Sequence, residues 1–215
     1  MDASRKNLTR SDRLGVLGGT FDPVHMGHLA IARAALEAHA LSRILLMPAA
    51  RPPHKDGGIA PAADRLEMVR IACAGDPHLE ASDLEVRRGG ISFTVETLAA
   101  LAARHRGAEL FFILGEDTVL ELPGWRESAR ILSLARIVAV HREGPRHRFD
   151  AALYPGIPPE VLEQCEKDRV EMEPVPIASR DIRKAIAKGD PFDRWLPAGV
   201  GEYIRTKKLY GYGRS

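Results

Sequence analysis

Two histidines three residues apart, His25 and His28, stand in the stretch GGTFDPVHMGH at residues 18–28. Imidazoles at this spacing share one face of a helix, where they could bind a metal, donate to a phosphate or serve as polar residues of a turn. The stretch lacks the glutamate of the zinc-protease helix, and no third ligand lies nearby in the sequence. The pattern therefore disfavours a metal, and we expect no metal ligated directly by the protein.

The glycines around these histidines favour a phosphate site at the start of a helix, with a structural turn as the alternative. Gly18 and Gly19 end a predicted strand without side chains, so that backbone N–H groups can approach a ligand closely. A helix N-terminus attracts anions, and the imidazoles would add donors at the same place. Gly27 removes bulk where a nucleotide ring would lie against the helix. The sequence contains neither a GxxxxGK[ST] P-loop nor a GxGxxG fingerprint.

Short apolar runs alternate with helical stretches along most of the chain. The predicted strands cover residues 14–18, 43–48, 78–86, 110–115 and 136–141, with a last one at 170–175. The predicted helices cover 24–39, a stretch after residue 61, 94–105, 125–134, a segment ending at Gly189 and a C-terminal segment from near Pro197. This alternation produces right-handed crossovers. We therefore predict a Rossmann-like, doubly wound α/β fold, with a mostly parallel sheet and helices on both faces.

The expected domain organisation is simple. Residues 1–12 are polar and lack the apolar core of a signal peptide, so we expect a flexible N-terminal arm. Residues 13–215 are expected to form a single domain, with a C-terminal helical portion from about residue 177. Residues 142–169 interrupt the alternation and predict an irregular connection with one short helix from about Pro159 to Lys167.

Composition excludes several classes of protein. The chain has 215 residues, a formal net charge of +2 and two cysteines. This charge gives no global basic field, so we expect no nucleic-acid partner. No run approaches the roughly 18 apolar residues of a membrane span, so we expect no membrane. Two distant cysteines fit a reducing compartment, and we expect a cytoplasmic location.

The stretch GGTFDPVHMGH resembles the signature of the HxGH nucleotidylyltransferase superfamily, and the whole chain is similar to bacterial nicotinate-nucleotide adenylyltransferases. Further stretches match that family in chain order: PPHK at 52–55, ISFTVETL at 91–98, GEDTVLELPGW at 115–125 and IASRDIR at 177–183. The resemblance implies adenylyl transfer from ATP, with Mg²⁺, to the 5′-phosphate of nicotinate mononucleotide, giving deamido-NAD and pyrophosphate. Because the nucleophile is already an anion, such a reaction needs positioning and charge stabilisation rather than a strong base.

Most of the implied site serves ATP. The resemblance assigns catalysis to His25, His28, Lys55 and Arg183, with His28 the better candidate for stabilising transition-state charge. It assigns ATP binding to Gly18, Gly19, Thr20, Phe21, Gly27, Ser179 and Arg180. Ser179 is also a plausible N-cap of the helix that carries Arg183.

The acceptor is implied to bind Thr94, Asp117 and Trp125. Trp125 can stack on an aromatic ring, and the stretch around Thr94 would hold the nicotinate ring with its carboxylate facing backbone N–H groups. Asp117 could accept from a ribose hydroxyl. Without the resemblance, Thr94 could equally be an N-cap and Trp125 a half-buried core residue.

The late motif departs from the family pattern, because Ala178 and Arg180 stand where a serine and a threonine are usual. Either Arg180 joins Arg183 around a phosphate, or it points into solvent. The alternatives for the whole chain are phosphopantetheine adenylyltransferase or another HxGH nucleotidylyltransferase. From a different class, it could be a nucleotide-binding regulatory protein without turnover.

Overall fold

The computed structural model describes residues 12–52, 59–141 and 148–213. The expected N-terminal arm, apart from Asp12, lies outside these residues. So does the start of the irregular connection predicted at 142–169.

Six parallel strands form one sheet in the described chain. They are β1 (Arg13–Gly19), β2 (Arg43–Pro48), β3 (Leu79–Ala81), β4 (Glu109–Gly115), β5 (Arg136–His141) and β6 (Val170–Glu171). Their order across the sheet is β3-β2-β1-β4-β5-β6, which is the order of the doubly wound Rossmann fold. The predicted fold class is confirmed. The connection reverses direction between β1 and β4, where such sheets bind ligands beyond the carboxyl ends of their strands.

Nine α-helices connect and cover the strands in the described residues. They are α1 (Met26–Ala38), α2 (Ala62–Cys73), α3 (Leu84–Arg88), α4 (Thr94–Arg104), α5 (Glu116–Val119), α6 (Ser128–Leu134), α7 (Pro159–Lys167), α8 (Ser179–Lys188) and α9 (Val200–Lys207). Short 3₁₀ turns occur at Leu122–Gly124, Asp193–Trp195 and Leu209–Gly211. No helix in the described part of the chain is long and apolar enough to cross a membrane.

Both faces of the sheet are buried, which explains why the strands read as continuous apolar runs. Neighbouring residues of one strand point to opposite sides, so Phe111 and Phe112 belong to different hydrophobic clusters. The first cluster includes side chains from α1, α2, α8 and α9, and the second includes side chains from α4, α6 and α7. The helices of the C-terminal portion are therefore part of the main core.

Two predicted strands are shorter than expected. The strand predicted at 78–86 ends at Ala81, and the chain then turns into α3. This strand lies at the edge of the sheet and pairs only with β2, while Glu85 turns inward to a buried hydrogen bond with Thr97. The strand predicted at 170–175 ends at Glu171, and the nearby Pro174 cannot donate to a strand ladder.

The helix predicted at 125–134 is present as the shorter α6 (Ser128–Leu134), and two further short elements precede it. The short helix α5, which the sequence pattern did not predict, directly follows β4. The 3₁₀ turn at Leu122–Gly124 then places Trp125 before α6, which starts only at Ser128. Trp125 therefore lies on a connection rather than on a helix.

The structure predicts a packing penalty at Gly15, in the middle of β1. A Cβ atom there would lie 2.7 Å from Ile44 Cγ1 and 2.9 Å from Leu41 Cδ1, both too close for real contacts. We expect Gly15→Ala to lower the free energy of unfolding by about 1–3 kcal/mol, the usual range for overpacking. Urea unfolding followed by circular dichroism measures this loss.

Gly18 in the same strand supplies the matched control. A Cβ atom there would meet only the Phe112 ring, at an ordinary 3.7 Å. We expect Gly18→Ala to change the free energy of unfolding by less than about 0.5 kcal/mol. Equal losses in both variants would contradict the packing argument.

Candidate active site

A cleft of about 630 Å³ opens at the carboxyl ends of β1, β2 and β4. This volume falls in the usual range for small-molecule sites. The cleft is continuous from the first strand–helix junction to the connection before α6. The predicted site residues that line it are Gly18, Gly19, Thr20, His28, Thr94 and Trp125.

His25 and His28 are neighbours at the start of α1, but only His28 lines the cleft. His25 is the N-cap residue of α1, with extended backbone, and its side chain is buried. The two ring centroids lie 3.8 Å apart with the planes tilted by 33°. In the described residues no group of three or more His, Cys, Asp or Glu side chains is arranged to hold a metal ion.

The orientation of His28 follows from its hydrogen bond to the backbone. The His25 N–H donates to His28 Nδ1 over 3.1 Å, so Nδ1 is the acceptor nitrogen of the ring. The proton of the neutral imidazole therefore sits on Nε2. His28 thus offers an oriented N–H donor at the cleft wall.

Phe21 and Gly27 support the histidines rather than line the cleft. Phe21 is buried with its ring edge-on to His28 at a centroid distance of 4.9 Å. A Cβ atom on Gly27 would lie 3.0 Å from His25 Nδ1, so this glycine makes room for the His25 ring.

A buried arginine ties together the loops that carry the site. Arg65 on α2 is only 2% exposed. Its guanidinium donates to the backbone oxygens of Ala60, Thr20 and Ala50 at 2.9, 2.8 and 3.0 Å. Burial lowers the pKa of Arg65, while the carboxylate of Asp22 acts in the opposite direction. The loops after β1 and β2 are thereby fixed to one side chain.

The Asp22 carboxylate makes a second set of hydrogen bonds that connects these loops. It is buried and accepts from the Ala60 N–H at 3.0 Å and from the Tyr210 hydroxyl at 2.9 Å. Burial and the Asp22 carboxylate raise the pKa of Tyr210 above its usual value, so the phenol keeps its proton. The 3₁₀ turn at Leu209–Gly211 is in this way attached to the loop after β1.

The N-terminal end of α8 docks on the same loop. Arg183 donates to the Asp22 backbone oxygen at 2.7 Å and lies 3.4 Å from its carboxylate. The Ser179 hydroxyl donates to the Pro23 oxygen at 2.9 Å. Because that hydroxyl is used in this way, Ala178 and not Ser179 is the N-cap residue of α8. The predicted N-cap role of Ser179 is therefore wrong.

Arg180 points away from this junction. Its side chain is 72% exposed, and its nearest charged partner is Asp181 on the same helix at 3.6 Å. This placement agrees with the second of the two hypotheses for Arg180, in which it points into solvent.

Aromatic and polar side chains form the other end of the cleft. Trp125 lines it and packs edge-on against Phe112, with ring centroids 6.2 Å apart. Thr94 is the first residue of α4, and Phe93 is the N-cap residue, so the N-cap alternative for Thr94 is wrong. Ser92 joins the two walls, because its hydroxyl accepts from the Ala50 N–H at 3.0 Å.

Three charged residues at this end were not predicted from the sequence. Glu85 is buried at the cleft wall and accepts from the Thr97 hydroxyl at 2.5 Å. Arg88 in turn donates to the Thr97 oxygen at 3.0 Å. Arg126, beside Trp125, also lines the cleft. The motif ISFTVETL contained Thr97, but nothing in the sequence marked Glu85 as inward-facing.

Asp117 stands apart from the cleft. Asp117 is exposed in α5 and is not among the residues that line the cleft. Its neighbour Glu116 is the buried acid, in ion pairs with His141 and Arg169. Lys55 lies outside the described residues.

The comparisons with known proteins agree with this architecture. A family model described as cytidylyltransferase-like matches residues 16–185, a span that includes His28, Trp125 and Arg183. The chain belongs to this class of nucleotidyltransferases.

Proteins with similar sequences show which family of nucleotidyltransferases the chain belongs to. A protein of Thermomicrobium roseum, named "Probable nicotinate-nucleotide adenylyltransferase", is 41% identical over 92% of this chain and 91% of its own. A protein of Roseiflexus sp. with the same name is 43% identical over 92% of this chain and 97% of its own. Within its class, the chain therefore belongs to the nicotinate-nucleotide adenylyltransferase family.

Solved structures share the fold at much lower sequence identity. The nicotinic acid mononucleotide adenylyltransferase of Plasmodium falciparum complexed with NaAD superposes with a TM-score of 0.72. It is 16% identical, and the match covers 95% of this chain and all of that chain. This similarity supports the fold alone.

The hydrogen bonds of Asp22 predict a stabilising role for the Tyr210 hydroxyl. Tyr210→Phe removes a hydrogen bond to a buried carboxylate and leaves Asp22 with one donor fewer. We expect the free energy of unfolding to fall by about 1–3 kcal/mol. Urea unfolding measures the loss.

Tyr154 is the control for this change. Its hydroxyl is buried and has no hydrogen-bond partner among the described residues. We expect Tyr154→Phe to leave stability unchanged or to raise it slightly, because no bond is lost. Destabilisation of both variants to the same extent would contradict the role given to Asp22.

Proposed function

We propose that the protein transfers the adenylyl group of ATP to the 5′-phosphate of nicotinate mononucleotide, forming deamido-NAD and pyrophosphate. The observation that supports the proposal is the continuous cleft, which has His28 at its first strand–helix junction and Trp125 at its other end. One cleft can therefore hold both reactants with their phosphates adjacent. The sequence similarity to a protein named probable nicotinate-nucleotide adenylyltransferase supports the same reaction.

The reaction is a substitution at the α-phosphorus of ATP. An oxygen of the mononucleotide phosphate forms the new P–O bond, and the bond to the bridging oxygen of pyrophosphate breaks. The nucleophile is already ionised, so the protein must align the two phosphates and stabilise developing charge. The first strand–helix junction supplies hydrogen-bond donors that can stabilise this charge. The reaction itself requires no acid–base pair.

His28 is the main donor on the ATP side in this proposal. Its Nδ1 is occupied by the His25 N–H, so Nε2–H faces a phosphate oxygen as charge develops there. Gly18, Gly19 and Thr20 bring backbone to the same wall. His25 acts through packing against His28, and Phe21 and Gly27 hold these two rings in place. Lys55 and Arg183 complete the phosphate contacts, Arg183 by exchanging part of its pairing with Asp22.

Mg²⁺ belongs to this proposal as part of the substrate MgATP. The carboxylate that lies nearest in the chain to the histidines, that of Asp22, is already bound by Ala60 and Tyr210. Triphosphate oxygens and water would therefore supply the ligands of the ion, as is common for Mg²⁺ with nucleotides. The ion would neutralise the leaving pyrophosphate.

The acceptor is placed at the far end of the cleft. The nicotinate ring stacks on Trp125, and its carboxylate meets the N–H groups at the start of α4 near Thr94. On the ATP side, Ser179 acts through its hydrogen bond to the Pro23 oxygen, and the exposed Arg180 makes no direct contact with the phosphates. Asp117, on the neighbouring α5, would reach a ribose hydroxyl only at the cleft margin.

An acceptor panel tests the proposal. The full chain is incubated with ATP and Mg²⁺ and with nicotinate mononucleotide, nicotinamide mononucleotide or 4′-phosphopantetheine, and pyrophosphate release is measured. We expect the largest kcat/KM with nicotinate mononucleotide, because the carboxylate finds donors that the other acceptors cannot use. Release only with phosphopantetheine would assign the alternative enzyme, and ATP binding without any release would favour the regulatory protein.

His28→Ala tests the catalytic assignment. We expect kcat to fall at least about 100-fold, the scale for one transition-state donor, while circular dichroism shows an unchanged fold. His78→Ala is the control, since His78 is exposed at the opposite, amino-terminal end of β3. A kcat of His28→Ala within about threefold of wild type would remove His28 from this role.

A further inference from the structure

The acceptor end of the cleft holds two opposite charges. Besides the titratable His28, the charged side chains lining the cleft in the described residues are Glu85 and Arg126. Arg126 directly follows Trp125 in the chain, and Glu85 bonds Thr97 on the helix that begins at Thr94, at the end where the proposed acceptor would place its pyridine ring. They therefore set the local charge that a ring substituent would meet.

Glu85 alone would repel an anionic ring substituent. It is buried, and its one described hydrogen bond, from Thr97 at 2.5 Å, is to a neutral hydroxyl. Arg88 contacts that hydroxyl rather than Glu85. A carboxylate entering this part of the cleft therefore needs a cation nearby that compensates for Glu85.

The guanidinium of Arg126 is a cation at this end of the cleft. Its central carbon lies 4.6 Å above the Phe93 ring, and Nη1 donates to Glu96 at 3.2 Å. Its Nε also lies 3.7 Å from Glu127 Oε1, so the guanidinium at the cleft wall pairs with two glutamates, although its side chain is 52% exposed. A guanidinium has five N–H donors in a planar fork, so these pairs leave donors for a further carboxylate.

We infer that Arg126 is the specificity-determining residue that recognises the carboxylate of the acceptor's pyridine ring and makes the protein prefer the acid to the amide. The inference rests on the proposed function. A carboxylate accepts two parallel N–H bonds from the guanidinium, whereas an amide offers one oxygen and turns its own N–H donors toward the cation. The N–H groups at the start of α4 do not discriminate by charge as strongly, because they are neutral.

The test compares three variants of the full chain. Arg126→Gln removes the charge, Arg126→Lys keeps the charge without the fork, and Arg130→Gln is the matched control. Arg130 is also exposed and also bonds a glutamate, Glu127 at 3.2 Å, but it is not among the residues lining the cleft. Steady-state kinetics with each mononucleotide give kcat and KM, and circular dichroism checks the fold.

We expect Arg126→Gln to lower kcat/KM for nicotinate mononucleotide by about 10- to 100-fold, the range for a lost charged hydrogen bond. The loss should come from KM, while kcat/KM for nicotinamide mononucleotide and KM for ATP stay within about twofold. Arg126→Lys should lose less, and Arg130→Gln should match wild type. Equal losses for both acceptors, or an unchanged preference in Arg126→Gln, would overturn the inference. If Arg126→Gln fails to fold, the ratio of kcat/KM for nicotinate mononucleotide to that for nicotinamide mononucleotide is compared between Arg126→Lys and wild type instead.

Direct binding separates this inference from the proposed function. Isothermal titration of each mononucleotide without ATP measures the acid preference whether or not turnover occurs. If the protein turns over nicotinate mononucleotide but Arg126→Gln keeps the preference for the acid, only the inference about Arg126 is contradicted. No turnover of either mononucleotide contradicts the proposed function, and an acid preference in binding that Arg126→Gln abolishes would still support the role of Arg126.

Discussion

The site depends on two buried charges, Arg65 and Asp22, that hold backbone rather than substrate. The Arg65 guanidinium binds the carbonyls of Thr20, Ala50 and Ala60. Asp22 binds the Ala60 N–H and the Tyr210 hydroxyl, while Arg183 bonds its backbone oxygen. An isolated buried charge is costly, so each is tolerated only where its partners are in place. The loops after β1 and β2, the start of α2 and the 3₁₀ turn at Leu209–Gly211 are therefore fixed together.

This arrangement suits a reaction that is controlled by position. Adenylyl transfer between two phosphates needs an in-line approach and donors for the developing charge. His28 is held by the His25 N–H and by the Phe21 ring, so its donor is set before a substrate binds. At the other end, Arg126 is held by Phe93 and Glu96. The two ends thus follow one principle, in which contacts within the protein orient the groups that face the ligand.

Much of the site was predictable because local sequence marks backbone geometry. Glycines and histidines at 18–28 indicated a phosphate site, and His28, Trp125 and Thr94 do line one cleft. Prediction from the sequence failed where a side chain forms a hydrogen bond with a segment that is distant in the chain. The Ser179 hydroxyl binds Pro23 and not its own helix end, and Glu85 was placed on a strand that ends before it. Tyr210 had no sequence signal, since its partner Asp22 is 188 residues away.

The sequence by itself determined the doubly wound α/β class, the parallel sheet and the position of the glycine- and histidine-containing loop after β1. Hydrophobic periodicity and strand–helix alternation are local properties, and they do not require knowledge of which segments meet. The tertiary structure alone decided which polar groups point into the cleft and which bind backbone across it. Those choices depend on hydrogen bonds between segments far apart in the chain, because a buried polar group takes whichever partner the packed fold brings within reach.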